Sequence, residues 1–103
     1  MDMDVDIAKG KAKISVIGPI DSEGGAQLSA KFAEIAKSPD IRRAELDLSE
    51  VPSITSAGIG KILAFFKHFD HAGGQMRIVA LSPQLERQFG EIHLDKIIPI
   101  GRK

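Results

Sequence analysis

Hydrophobic and polar positions alternate strictly at the start of the chain. Met3, Val5 and Ile7 fall on one face of an extended strand and Asp2, Asp4 and Asp6 on the other. After Lys9–Gly10 the alternation resumes with Ala12, Ile14 and Val16, so the two runs predict a hairpin. A two-residue turn puts Ala8 opposite Lys11, Asp6 opposite Lys13 and Val5 opposite Ile14. Charge and hydrophobicity then agree on one register. Gly18–Pro19–Ile20–Asp21 stops the second strand, and Asp21 or Ser22 caps a helix running to about Lys37, with Leu28, Phe32 and Ile35 inward. Ala44, Leu46 and Leu48 alternate with Arg43, Glu45 and Asp47 in a third strand.

The next helix shows Ile59, Ile62, Leu63, Phe66 and Phe69 as one stripe, with Phe65 at its margin and partly exposed. Ala72–Gly73–Gly74 ends it. Residues 76–81 are nearly all apolar, which predicts a strand buried on both faces. Ser82–Pro83 opens a third helix with Leu85 and Phe89 inward, and residues 97–100 read as a short final strand. The order is β-β-α-β-α-β-α-β, with a right-handed parallel crossover over residues 44–81. This is an α/β chain forming one domain over residues 1–103, long enough for a single core.

Charge and composition narrow the function classes. Lys+Arg and Asp+Glu both number 14, so no net field draws nucleic acid or an anionic membrane. The basic doublets Arg42–Arg43 and Arg102–Lys103 are short. No apolar run reaches the roughly twenty residues of a bilayer span, so direct membrane insertion is not expected. The acidic first ten residues carry no export signal, and the expected location is the cytoplasm. The absence of cysteine removes disulfides, thiolate catalysis and Cys-ligated metals.

Candidate chemistry concentrates in residues 44–60, AELDLSEVPSITSAGIG, where a strand meets a helix through Ser53, Thr55 and Ser56. Ser56 reads as the helix N-cap, accepting a backbone N–H and contributing about 1 kcal/mol. A phosphate on a serine at a helix start adds nearly two negative charges where backbone donors are unpaired. Enzyme readings fare poorly, since there is no G-x-S-x-G, and Gly58–Ile59–Gly60–Lys61 lacks the spacing of a phosphate-binding loop. His68, Asp70 and His71 read as a solvated helix end rather than a metal site, and His93 is isolated. No metal and no cofactor are expected.

The pieces Gly18–Pro19–Ile20–Asp21, Leu46–Asp47–Leu48–Ser49, Thr55–Ser56–Ala57–Gly58–Ile59–Gly60 and Ala72–Gly73–Gly74–Gln75–Met76–Arg77–Ile78, with Ser82–Pro83 and Leu94–Asp95–Lys96–Ile97–Ile98, run through essentially the whole chain. In this order they resemble the STAS domain family, named for sulphate transporters and anti-sigma factor antagonists. The resemblance implies a mixed β-sheet with helices packed mainly on one side. It also implies a non-enzymatic, stand-alone antagonist in a partner-switching pathway. In such proteins the serine matching Ser56 is phosphorylated by a cognate anti-sigma factor that is itself a serine kinase. The unphosphorylated antagonist binds that kinase, and a metal-dependent serine phosphatase resets the switch. Carried onto this chain, Ser56 is the acceptor and Thr55 the less favoured one. Asp21, Ser22, Thr55, Ser56, Ala57, Gly58 and Ile59 form the partner-binding set, Gly58 and Gly60 keeping the approach open. The family motif is Asp-Ser-Ser/Thr-Gly, so Thr55 here replaces an Asp and Ala57 a second hydroxyl. The departure at Thr55 leaves open an alternative role, as an unphosphorylated structural subunit of a membrane lipid-transport or multi-protein regulatory complex.

Overall fold

A computed structural model describes residues 1–101, and the Arg102–Lys103 doublet lies outside the described residues. Four strands form one sheet: β1 (Asp2–Ala8), β2 (Lys11–Ile17), β3 (Arg43–Glu50) and β4 (Gln75–Leu81), in the order β1-β2-β3-β4. β1 and β2 are antiparallel, whereas β2–β3 and β3–β4 are parallel. Helices α1 (Ser22–Ala36) and α2 (Ser56–His71) connect the parallel strands, and α3 (Pro83–Glu91) follows β4.

The hairpin takes the expected register, with Ala8 opposite Lys11, Asp6 opposite Lys13 and Val5 opposite Ile14. Lys9 and Gly10 both have positive φ, 52° and 76°, the requirement of the turn whose twist matches a two-residue hairpin. Ala12, Ile14 and Val16 of β2, Ala44, Leu46 and Leu48 of β3, and Met76 and Ile78 of β4 are all buried. They form one face of the sheet, which α1 and α2 cover with Leu28, Phe32, Ile35, Ile62, Phe65 and Phe69. On the opposite face Asp2, Asp4, Asp6, Lys13, Arg43 and Arg77 are exposed.

Three expectations are corrected. Phe65 is 4% exposed, not marginal, and its ring stacks on Phe32 with centroids 3.9 Å apart. Phe66, Leu63 and Ile59 take the half-buried flank instead. The cause is α1: a helix lying beside α2 buries a second flank that the stripe of one helix does not reveal. β4 is not buried on both faces along its length, since Arg77 is exposed and Val79 half-buried; beyond a register shift Leu81 comes opposite Leu48 and packs on the core. The final strand is a 3-10 turn at Leu94–Lys96 followed by a single parallel bridge, Ile78 to Ile100. Ile98, fully buried, anchors this segment, and a proline at position 99 cannot donate to a longer ladder.

Candidate functional site

The loops leaving β2 and β3 lie side by side at the carboxyl ends of parallel neighbours, where open α/β sheets place their sites. A parallel bridge between Ile20 and Ile54 locks them together. Ile20 N–H donates to the Ser53 carbonyl at 2.9 Å, and Thr55 N–H donates to the Ile20 carbonyl at 3.1 Å. Ile20 and Ile54 are themselves buried, so this bridge is part of the core. It sets the first residues of α1 and α2 next to each other.

Each helix start is capped by the residue following its bridged isoleucine. The Asp21 carboxylate accepts from Gly24 N–H at 2.8 Å, and the Thr55 hydroxyl accepts from Gly58 N–H at 3.0 Å. Thr55, not Ser56, is therefore the cap of α2, and Ser56 is its first helical residue. The reason is the bridge, which holds Thr55 extended with ψ 161° and leaves Ser56 to begin the helix. Thr55 thus does locally what an aspartate does at this position, because hydroxyls and carboxylates both serve as caps.

Ser56 is exposed, and its hydroxyl makes no hydrogen bond among the described residues. Asp21, Ser22, Thr55 and Ala57 are exposed beside it, and Ile59 is half-buried. Gly58 lies buried beneath this surface, and its role is packing. A Cβ there would sit 2.8 Å from Ile54 Cγ1 and 3.1 Å from Ile20 Cγ2. Gly25 faces Gly58 across the helix pair, its Cβ position 3.8 Å from Gly58 Cα, so the two starts approach closely through glycines. Gly60 is exposed, and among the described residues nothing outside its own helix backbone lies within 4 Å of its Cβ position. The surface is electrostatically uneven: the α1 end carries Asp21 and Glu23, whereas the first turn of α2 carries no acid.

Sequence reasoning missed what holds this loop from behind. Ser82, buried at the start of α3, accepts from Leu85 N–H and donates its own hydroxyl to the Val51 carbonyl. Gln88 Nε2 donates to the Ile54 carbonyl at 3.2 Å. Ser82–Pro83 was legible as a cap, but nothing local points to partners more than thirty residues away. His68, Asp70 and His71 are exposed at the far end of α2, and among the described residues no three His, Asp or Glu side chains converge as a metal site needs. No helix among them is long and apolar enough to cross a membrane.

The family model for the STAS domain matches residues 2–103. The chain belongs to the STAS domain family. Its fold is that of known members. An anti-sigma factor antagonist from Mycobacterium paratuberculosis superposes with TM-score 0.82 at 24% identity, covering 97% of this chain and 84% of that one. SpoIIAA, an anti-sigma factor antagonist, superposes in its unphosphorylated form with TM-score 0.73 at 16% identity, over 93% of this chain and 97% of that one. The phosphorylated form of SpoIIAA, a Bacillus cell fate determinant, gives 0.78 at 15%, over 97% and 91%. At these identities the likeness to this STAS domain is one of fold, a mixed sheet with its helices placed as expected.

Proposed function

We propose that this STAS domain is a non-enzymatic anti-sigma factor antagonist acting in the cytoplasm, whose binding is set by phosphorylation of Ser56. The observation that carries the reading is the exposed, unbonded Ser56 hydroxyl at the first residue of α2, flanked by Asp21, Ser22, Thr55 and Ala57. Unphosphorylated, this surface docks on a cognate anti-sigma factor serine kinase and frees the sigma factor. The kinase moves the γ-phosphoryl of ATP onto Ser56 Oγ, releasing ADP and a proton. A metal-dependent serine phosphatase hydrolyses the ester and restores the hydroxyl.

The mechanism is local. A phosphoserine carries nearly two negative charges, and these must be desolvated if a partner is to seat on this surface. Next to Asp21 and Glu23 they make the whole face acidic, and a few kcal/mol of lost docking energy suffices to switch partners. No helix has to melt, because the hydroxyl that caps α2 belongs to Thr55 and not to Ser56.

The test incubates the protein with the candidate kinase and ATP and locates the phosphate by peptide mass spectrometry. One phosphate on Ser56 is expected, with Ser56→Ala binding the kinase but escaping release. Ser56→Asp binding as tightly as native protein would sink the electrostatic account. Absence of phosphate on Ser56, together with copurifying transporter subunits, would favour the structural-subunit role instead.

A further inference from the structure

The outermost strand presents a second surface, remote from Ser56. Among the described residues β1 is paired on one side only. In its two-residue hairpin the residues opposite each other at Ala8–Lys11, Asp6–Lys13, Asp4–Ser15 and Asp2–Ile17 exchange the ladder hydrogen bonds. The N–H and C=O groups of Met3, Val5 and Ile7 therefore point outward along the free edge. Ile7 is 54% exposed there, with no charged side chain at the edge positions.

The side chains beside this edge have one sign. Asp2, Asp4 and Asp6 are exposed on the open face of the sheet and form no ion pair among the described residues. Of the two β2 lysines facing them, Lys11 pairs with Glu45 at 3.4 Å, which leaves Lys13 opposite Asp6. Three β1 carboxylates thus stand beside a single lysine of β2 that is not in an ion pair among the described residues.

A second copy of the chain does not fit. Antiparallel pairing of β1 with itself in the bonded register, Val5 against Val5 and Met3 against Ile7, sets Asp4 directly opposite Asp6, and like charges there are destabilising. The complementary occupant has the opposite charge. The geometry points to β1 as a docking edge for an extended basic peptide segment, lysine or arginine alternating with apolar residues, added as a fifth strand. Its main chain bonds to Met3, Val5 and Ile7, its cations face Asp2, Asp4 and Asp6, and its apolar residues extend the row of Met3, Val5 and Ile7.

The test titrates the full chain with acetyl-Lys-Val-Lys-Val-Lys-Val-amide, and with the same peptide carrying Glu for Lys, and follows backbone amides by NMR. The lysine peptide is expected to shift and protect the amides of Met3, Val5 and Ile7, and the glutamate peptide to leave them unmoved. Asp2→Asn/Asp4→Asn/Asp6→Asn should weaken the lysine peptide roughly tenfold, from three lost cross-strand pairs. Asp4→Asn alone, the mildest change to the hairpin, should weaken it by a smaller factor if the triple variant fails to fold. Unmoved β1 amides, shifts centred on Asp21 and Glu23, equal binding of both peptides, or an Asp4→Asn affinity equal to native would each overturn the proposal.

Discussion

Adding one methyl group to α2 has opposite consequences at two glycines a half-turn apart. At Gly58 the new Cβ falls 2.8 Å from Ile54 Cγ1, 3.1 Å from Ile20 Cγ2 and 3.2 Å from Ile54 Cδ1. Ile20 and Ile54 are 1% and 7% exposed, and their main chains are tied by the bridge between the two loops. Neither can swing away without disturbing the core, so the overpacking cost is about 1–3 kcal/mol. Against it stands the lower backbone entropy of alanine, at most about 1 kcal/mol in a helix. Gly58→Ala is therefore destabilising, by up to about 2 kcal/mol net. Gly60 has nothing within 4 Å of its Cβ position, so only the entropy term operates and Gly60→Ala is stabilising by about 0.5–1 kcal/mol. In a domain of this size each kcal/mol moves Tm by roughly 4–8 °C. Thermal and urea melts followed by circular dichroism read both variants against native protein. A Gly58→Ala midpoint at or above native, or two shifts of the same sign, would refute the packing argument.

Other outcomes follow from single contacts. Thr55→Ala removes the α2 cap and should be destabilising by about 1 kcal/mol, whereas Thr55→Ser stays near native; Ser56→Ala, which loses no hydrogen bond, should lie within about 0.5 kcal/mol of native in the same urea melts. Lys9 adopts φ 52° in the hairpin turn, a conformation asparagine tolerates better, so Lys9→Asn should raise the melting midpoint. Lys31 bonds Glu34 at 2.9 Å and holds its carboxyl below the usual carboxylate range, first through the hydrogen bond and then through charge. A folded-state value below the unfolded one gives stability that is present at neutral pH and lost as pH falls through the folded value. NMR titration of Lys31→Met should show the Glu34 midpoint rising towards that of a free carboxylate.

The hairpin was legible because three independent signals coincide at Lys9–Gly10: alternation, turn length and the pairing of Asp6 with Lys13. The α1 boundaries followed from Asp21 and from the Leu28–Phe32–Ile35 spacing. The α2 start was less legible. Ser53, Thr55 and Ser56 all offer a hydroxyl, and the choice among them is made by the Ile20–Ile54 bridge, a contact between residues far apart in the chain. Burial of Phe65 likewise depends on Phe32, which comes from another helix. β4 looked doubly buried because its run is nearly all apolar, yet Arg77 is exposed, and a register shift that no local pattern reveals turns Leu81 onto the core opposite Leu48. Local pattern reads elements and faces that answer to one partner surface. Where two or three elements converge, as they do around residues 51–58, it does not.

The two hydrogen bonds that α3 sends back to the loop, from Ser82 to the Val51 carbonyl and from Gln88 to the Ile54 carbonyl, have a genetic consequence. On the proposed function, a random-mutagenesis screen for loss of partner binding is expected to recover substitutions at positions 82 and 88 together with those at the exposed loop. Second-site suppressors of such alleles should fall in the segment they brace, not on the partner.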